Sequence, residues 1–415
     1  MYSEITMDRI KYLLAITAMS SLFSCSGDDM SDINVDVKPN GNSEFAIQLS
    51  GRSSSMSAGS RAAILDNNAG LQGIGVWCVA KNNNDATTGS ISGMNWFGIE
   101  AGPVSCLIKN QKADIEEGTG NVKWVSAEPM PVYYYPITQT YKYEFYANYP
   151  YCESDATSES ANYLSYKLNG QSVIATYTID GTTDILWGRA TSDDQYAWSA
   201  RYFRLNGGVT DDNKPNLQME HMLTRLVFYV TPGADGSTDD GNGSQYQKAC
   251  KMTVTSLTIK NATNKVNLVV ADSYRPDLAT DSRIYASSPV STADFALKNA
   301  DGSAAGSVKV EDCFDGSTPD AGAGTSYTIT PKQWGESVML LPAQEYKVYM
   351  TMEMTEDDGT KREFETEMPL KLRGEEPFKR GTSYSVTITV YRPTEIEAKA
   401  TISDWVEETG PGLEF

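Results

Sequence analysis

Tyr346-Lys347-Val348-Tyr349-Met350-Thr351-Met352-Glu353-Met354-Thr355 leads into Glu356-Asp357-Asp358-Gly359-Thr360, and then into Lys361-Arg362-Glu363-Phe364-Glu365-Thr366-Glu367-Met368-Pro369-Leu370. In the first run Tyr346, Val348, Met350, Met352 and Met354 take alternate positions, with Lys347, Tyr349, Thr351, Glu353 and Thr355 between them. A period of two sends one set into a core and the other to water, which is strand geometry rather than helix geometry. The Asp-Gly pair suits a tight turn needing positive φ. The return run carries Phe364, Thr366, Met368 and Leu370 on one face and Glu363, Glu365 and Glu367 on the other. The stretch predicts an antiparallel hairpin with one wet face.

The same alternation recurs outward from it. Tyr384, Val386, Ile388 and Val390 alternate with Ser385, Thr387, Thr389 and Tyr391; Tyr141, Tyr143 and Phe145 alternate with Lys142 and Glu144; Phe45, Ile47 and Leu49 alternate with Ala46, Gln48 and Ser50. Leu226 to Val230 and Val338 to Leu341 are continuous apolar runs, suited to strands buried more fully. No fifteen-residue window carries an uninterrupted 3.6-residue stripe. Short strands between Gly/Asn/Asp/Ser loops predict an all-β chain of sandwiches. Asn206-Gly207-Gly208 and Asp211-Asp212-Asn213-Lys214-Pro215 form a polar break. They divide the body into an N-terminal sandwich over 44–214 and a C-terminal one over 215–392, with a terminal strand and tail over 393–415.

Composition narrows the chemistry. The 415 residues include 34 basic and 54 acidic side chains, a formal charge of −20. No Lys/Arg cluster offsets that charge locally, so nucleic-acid binding is excluded. The 40% hydrophobic fraction, with 24 Tyr and 7 Trp, belongs to a folded chain rather than a disordered acidic one. The single histidine, His221, cannot build a multi-imidazole zinc site, and no G-x-S-x-G nucleophile motif accompanies it. It reads as a structural or surface histidine. No cofactor, metal site or catalytic residue is expected, and the chain reads as a non-enzyme. Cys78, Cys106, Cys152, Cys250 and Cys313 are odd in number and lack C-x-x-C spacing, which favours partly buried free thiols over disulfides.

The N-terminus is an address. Arg9 and Lys11 precede a short apolar stretch, Tyr12 to Phe23, that cannot span a bilayer of about 30 Å. It ends in Leu22-Phe23-Ser24-Cys25, which resembles the lipobox of bacterial lipoproteins: cleavage between Ser24 and Cys25, with Cys25 diacylated as the new N-terminus. The alternative is an ordinary secretion signal cut elsewhere. Glu4 and Asp8 are unusual before such a stretch, so translation from Met7 is a second possible start. Residues 25–43, with Asp28, Asp29, Asp32 and Asp36, read as an acidic tether behind an outer-membrane lipid anchor.

Several motifs in order resemble the fimbrillin family, the lipoprotein precursors of type V pilus subunits. After the lipobox come Ser60-Arg61-Ala62, Ile74-Gly75-Val76-Trp77, Tyr141-Lys142-Tyr143-Glu144-Phe145-Tyr146-Ala147 with Tyr149-Pro150, and Asp184-Ile185-Leu186-Trp187-Gly188. Met219-Glu220-His221-Met222-Leu223-Thr224-Arg225-Leu226, Phe378-Lys379-Arg380-Gly381-Thr382-Ser383-Tyr384 and Ile402-Ser403-Asp404-Trp405 follow. The resemblance implies two consecutive antiparallel β-sandwich domains of transthyretin-like, Greek-key type behind a signal peptide over 1–24. It also implies a life history. An arginine-specific surface protease cuts the exported lipoprotein, the first strand leaves with the lipid, and a strand from another pilus subunit fills the groove, supporting adhesion.

On that basis the strand removed is the one carrying Phe45, Ile47 and Leu49, and Gly51 to Ser60 is expected as an exposed loop. The cut falls between Arg61 and Ala62, with Arg52–Ser53 as second choice. Ile396, Ala398, Ala400 and Ile402 mark a candidate donor strand; the same stretch equally reads as the last strand of its own domain. Two further readings stay open. One is a lipid-anchored anchor subunit or tip adhesin. The other is a surface glycan-binding lipoprotein using Trp96-Phe97, Trp124 and Tyr133-Tyr134-Tyr135 as sugar platforms. A carboxylate glycosidase has no motif behind it. Asp235 to Gly241 lacks EF-hand spacing and reads as a solvated turn. A receptor, host or glycan, is not legible.

Overall fold

The computed structural model describes residues 46–53, 70–81, 106–125, 132–135, 142–167, 172–194, 196–236, 243–272, 275, 277–316, 327–372, 374–392 and 395–403, the last span and Ser53, Lys81 and Arg392 by backbone only. The largest sheet has seven strands in the order β1 (Ser50–Ser53), β9 (Asn216–His221), β8 (Leu186–Ala190), β5 (Lys142–Tyr149), β2 (Leu71–Lys81), β3 (Cys106–Ile115) and β4 (Val122–Trp124). A second runs β13 (Ile284–Ala286), β12 (Lys265–Asp272), β7 (Ser172–Thr178), β6 (Asn162–Lys167). A third runs β14 (Thr292–Ala296), β11 (Met252–Thr263), β20 (Tyr346–Thr355), β21 (Lys361–Leu370), with β15 (Val308–Lys309) also on β11. The fourth runs β18 (Lys332–Gln333), β10 (Thr224–Pro232), β22 (Ser383–Arg392), β23 (Glu395–Ser403), with β19 (Val338–Leu340) also on β10. β16 (Phe314–Gly316) and β17 (Tyr327–Ile329) pair with each other. Short helices α1 (Ala200–Leu205) and α2 (Gln247–Cys250) complete an all-β chain.

The hairpin forms as its alternation requires. Met352 lies opposite Phe364, Met350 opposite Thr366 and Val348 opposite Met368, so the apolar faces coincide. Val348, Met350 and Met352 are buried, and Gly359 takes φ +84° in the turn. Two pairings depart from the antiparallel expectation: β1 with β9, and β10 with β22, are parallel.

β2 and β5 are central strands buried on both faces. Val76, Cys78, Tyr143, Phe145 and Ala147 belong to one apolar cluster; Trp77, Val79 and Tyr146 belong to a second. Successive residues of a strand point to opposite faces, so these strands form a wall between two cores. Glu144, expected at the water face, is therefore buried. It survives there because Tyr146 Oη donates to its Oε2 at 2.7 Å and Arg189 lies 3.3 Å from its Oε1. On the same side Trp77 Nε1 donates to Asn148 Oδ1 at 3.1 Å, and Asn148 Nδ2 donates to Tyr177 Oη at 3.1 Å. Across the gap to the second sheet, Trp187 Nε1 donates to the Val270 carbonyl at 2.8 Å.

The polar break before residue 215 is the turn between α1 and β9. Strands from both sides of it share sheets: β9 lies in the seven-stranded sheet, and β12 pairs with β7 from Lys265–Thr178 to Asp272–Ser172. Among the described residues no helix is long and apolar enough to cross a membrane.

Candidate functional site: the seat of the first strand

Residues 46–53 hold the seven-stranded sheet together at two edges. On one side Ser50–Ser53 runs parallel to Asn216–Met219, and Ser50 N donates to the Pro215 carbonyl at 3.0 Å. On the other, Ala46 bridges Tyr134 and Ser50 bridges Asn121. Ile47 N donates to the Tyr133 carbonyl at 2.8 Å, Gly51 N donates to the Gly120 carbonyl at 2.8 Å, and Val122 N donates to the Leu49 carbonyl at 3.0 Å. The segment thus lies between β9 and the chain around β4, the two ends of the sheet, and closes it on itself.

Alternation fills the seat. Ile47 is 4% exposed and Leu49 2%, within a cluster that includes Leu71, Ile115, Tyr135, Phe203, Leu217 and Met219. Gln48 and Arg52 are exposed. Gly51 is the third inward position. A Cβ there would meet Ile115 Cδ1 at 2.7 Å and Leu217 Cβ at 3.6 Å, so the chain passes close to both walls. Gly120 takes φ +68°, and a Cβ on it would lie 3.1 Å from the Gly51 carbonyl oxygen.

Charged side chains tie the rims. Lys214 Nζ donates to Asn121 Oδ1 at 2.7 Å and to Asp211 Oδ1 at 2.6 Å, linking the turn before β9 to the turn before β4. The Lys214 side chain is 7% exposed. Lys214 holds the Asp211 carboxyl below its ordinary range. In the β3–β4 turn, Lys123 and Thr119 hydrogen-bond Glu116 and lower its carboxyl likewise. At the far end of β9, His221 is buried with its Nδ1 against Asp184 Oδ2, and Arg380 bridges Glu220 at 3.0 Å and Asp281 at 2.6 Å. His221 is structural, not a surface residue.

Set against the sequence expectations, Ile47 and Leu49 are both in the seat. Phe45, Cys25, Ser24, Arg61 and Ala62 lie outside the described residues. Arg52 differs from the expectation of a loop: strand pairing continues through it, opposite Gln218, because Gly51 lets the backbone stay close to β9. Of the aromatics offered as sugar platforms, Tyr135 is buried against Tyr143 and Phe203, and Trp124 packs edge-on to Tyr133 at 5.3 Å. Trp96-Phe97 lies outside the described residues. Ile396, Ala398, Ala400 and Ile402 fall in β23, which pairs with β22 from Ser403–Ser383 to Glu395–Arg392.

Other chemistry is muted. The five cysteines among the described residues are free thiols; burial pushes Cys106 and Cys250 up to about 12 and Cys152 to about 11, leaving them protonated and poorly nucleophilic at neutral pH. A cavity of about 350 Å3 is lined by Asp180, Lys298 and Glu336, but Thr182 and Thr183 already occupy the Asp180 carboxylate. Among the described residues no group of three His, Cys, Asp or Glu is placed to hold a metal.

The pattern of the fimbrillin-like family matches residues 60–405. This chain belongs to that family. Membership of the fimbrillin-like family points to a fimbrial subunit at the cell surface that assembles with other pilus subunits. Among solved structures it is similar to a fimbrial protein of Bacteroides vulgatus (13% identity, 87% of this chain and 100% of that one, TM-score 0.47). It is also similar to the tip fimbrial protein Mfa3 of Porphyromonas gingivalis with a C-terminal truncation (9% identity, 87% and 100%, TM-score 0.30). None of the curated proteins compared with it matches.

Gly51, Ile115, Leu217, Lys214 and Asn121 were not singled out from sequence. A glycine interrupting a strand pattern was the available signal for Gly51. Ile115 and Leu217 stand 64 and 166 residues from Gly51, and Lys214 stands 93 from Asn121, separations that no local pattern carries.

Proposed function

We propose that this fimbrillin-like chain is a structural pilus subunit that matures by losing its first strand and polymerises by taking a strand from a neighbour. Cys25 carries the lipid that holds the precursor at the outer membrane. An arginine-specific protease then cuts between Arg61 and Ala62. The observation that carries this reading is the double pairing of residues 46–53. Withdrawing them opens two unpaired backbone edges beside an apolar floor, a combination satisfied by β-strand addition. Arg61 is preferred because Ser60-Arg61-Ala62 matches the family pattern, and Arg52–Ser53 comes second because Arg52 is engaged with β9.

Unboiled surface material from wild type and from Arg61→Ala, run on SDS gels, tests this. Wild type should give a heat-sensitive ladder that vanishes in the variant. A ladder that persists in both Arg61→Ala and Arg52→Ala removes the cleavage step.

One observation favours a second reading, an anchor or tip subunit that donates no strand: β23 is paired along its length within its own sheet. The N-terminus of sheared protein separates the two. Ala62, or Ser53 for a cut at Arg52, marks a polymerising subunit; acylated Cys25 marks an anchor.

A further inference from the structure

We infer that the seat of residues 46–53 carries a size filter at the Gly51 position, and that the filter sets the register of the replacing strand. A second copy of residues 395–403 enters with Ile396 at the place of Ile47, Ala398 at that of Leu49 and Ala400 at that of Gly51. This rests on the strand-exchange reading and adds the residues that choose among alignments.

The three inward positions are unequal. Positions 47 and 49 hold Ile and Leu, whereas a single Cβ at 51 would already press on Ile115 Cδ1 at 2.7 Å and Cγ1 at 3.3 Å. A methyl group needs only the end of the Ile115 side chain to swing aside; a longer side chain needs room beyond a Cβ that already touches Ile115 and stands 3.6 Å from Leu217 Cβ. The backbone cannot retreat, since Gly51 N is bonded to the Gly120 carbonyl and the residue pairs with Leu217 on its other side.

Residues 396, 398, 400 and 402 read Ile, Ala, Ala, Ile. Sliding them through the seat in steps of two, the alignments with Ile396 or Ile402 at position 51 fail the filter. The seat's bonding groups (the carbonyls of Tyr133, Pro215 and Gly120, and Val122 N) are registered for a chain running as residues 46–53 do. In that direction Ala398 at position 51 would put Thr394 at the apolar place of Ile47. Ala400 at position 51 puts Ile396 there instead. Glu397, Lys399 and Thr401 then take positions 48, 50 and 52, of which 48 and 52 are exposed.

The test is polymer formation by cells making full-length Ala400→Leu, Ala398→Leu, and Ala400→Leu combined with Ile115→Ala. Monomer thermal unfolding is followed in parallel, because Ala400 and Ala398 also lie opposite Val386 and Ile388 in the chain's own sheet. Ala400→Leu should cut the heat-sensitive ladder about tenfold or more. Ala398→Leu should leave it unchanged or increased, and Ile115→Ala should restore the Ala400→Leu ladder. Equal ladders from Ala400→Leu and wild type overturn the register, as does a loss confined to Ala398→Leu. Independently of assembly, the precursor of Gly51→Leu should melt earlier than that of Gly51→Ala. Equal melting removes the filter even if strands do exchange. Absence of any wild-type ladder sinks the exchange reading, and this inference with it.

Discussion

The first and last strands of the molecule have unequal neighbours. Residues 46–53 are bonded on both sides, to β9 and to the chain around β4, and bury Ile47 and Leu49. Among the described residues β23 is bonded on one side, to β22, at the margin of its sheet. A strand with one partner leaves by breaking one ladder; a place with two edges rewards its occupant with two. For the exchange proposed above, the difference supplies a direction: from the margin of one sheet into the middle of another.

The largest test of that asymmetry is removal of each strand. Arginine-specific cleavage that takes away residues up to Arg61 should lower monomer stability by several kcal/mol, since two large aliphatic side chains lose their burial at about 2–3 kcal/mol each. Truncation after Pro393 should lower it less. Thermal unfolding of the two products, in the same buffer, checks the order; equal losses would erase the distinction.

Single substitutions sharpen it. Leu49→Ala should destabilise the precursor by about 2–4 kcal/mol in urea unfolding, through lost transfer energy and the cavity left in a closed core. Ala398→Gly, in the marginal strand, should stay near about 1 kcal/mol. Lys214→Met tests the rim. Losing its bonds to Asn121 and Asp211 should cost about 1 kcal/mol, whereas Lys379→Met, at a lysine 65% exposed, should be silent. The smallest effect is acid sensitivity. Glu116 and Asp211 have folded-state carboxyls lowered from 4.5 and 3.8, chiefly by hydrogen bonds from Lys123 and Lys214. Their stabilisation is therefore present above those ordinary values and lost as pH falls through the lowered ones. Unfolding midpoints followed downward from pH 5 should fall less in Lys214→Met, which has already lost the Asp211 share.

Much of the architecture was legible. In 346–370 the alternation assigned both faces and the Asp-Gly turn correctly, because each strand of that hairpin has one wet side and its partner is the next segment in sequence. The same rule misplaced Glu144: β5 has a core on each face, and a carboxylate paired with Arg189 and Tyr146 looks like a surface residue from sequence. The segment at 45–50 reads as a strand from its alternation, but regular pairing begins only at Ser50 and runs to Ser53, with Ala46 in an isolated bridge and Phe45 outside the described residues, since a parallel partner in 216–219 has no local signature. For the same reason the polar break at 206–215 gave no sign that β7 would pair with β12 beyond it. At the seat, the two large apolar residues were visible as period-two hydrophobics. The narrowing at Gly51 depends on where Ile115 and Leu217 stand in space, and no spacing along the chain encodes that.

The wall formed by β2 and β5 has a consequence for cooperativity. It assigns Ile47, Leu49 and their neighbours to one cluster and Leu226, Val254, Val348 and Val386 to the other. Two clusters that share strands but not side-chain contacts can open with separate free energies. Amide hydrogen exchange should find the amides around the first strand releasing their protons while those of β10, β20 and β22 stay protected. Under the proposed exchange, that insulation lets one compartment be emptied and refilled while the other keeps its shape.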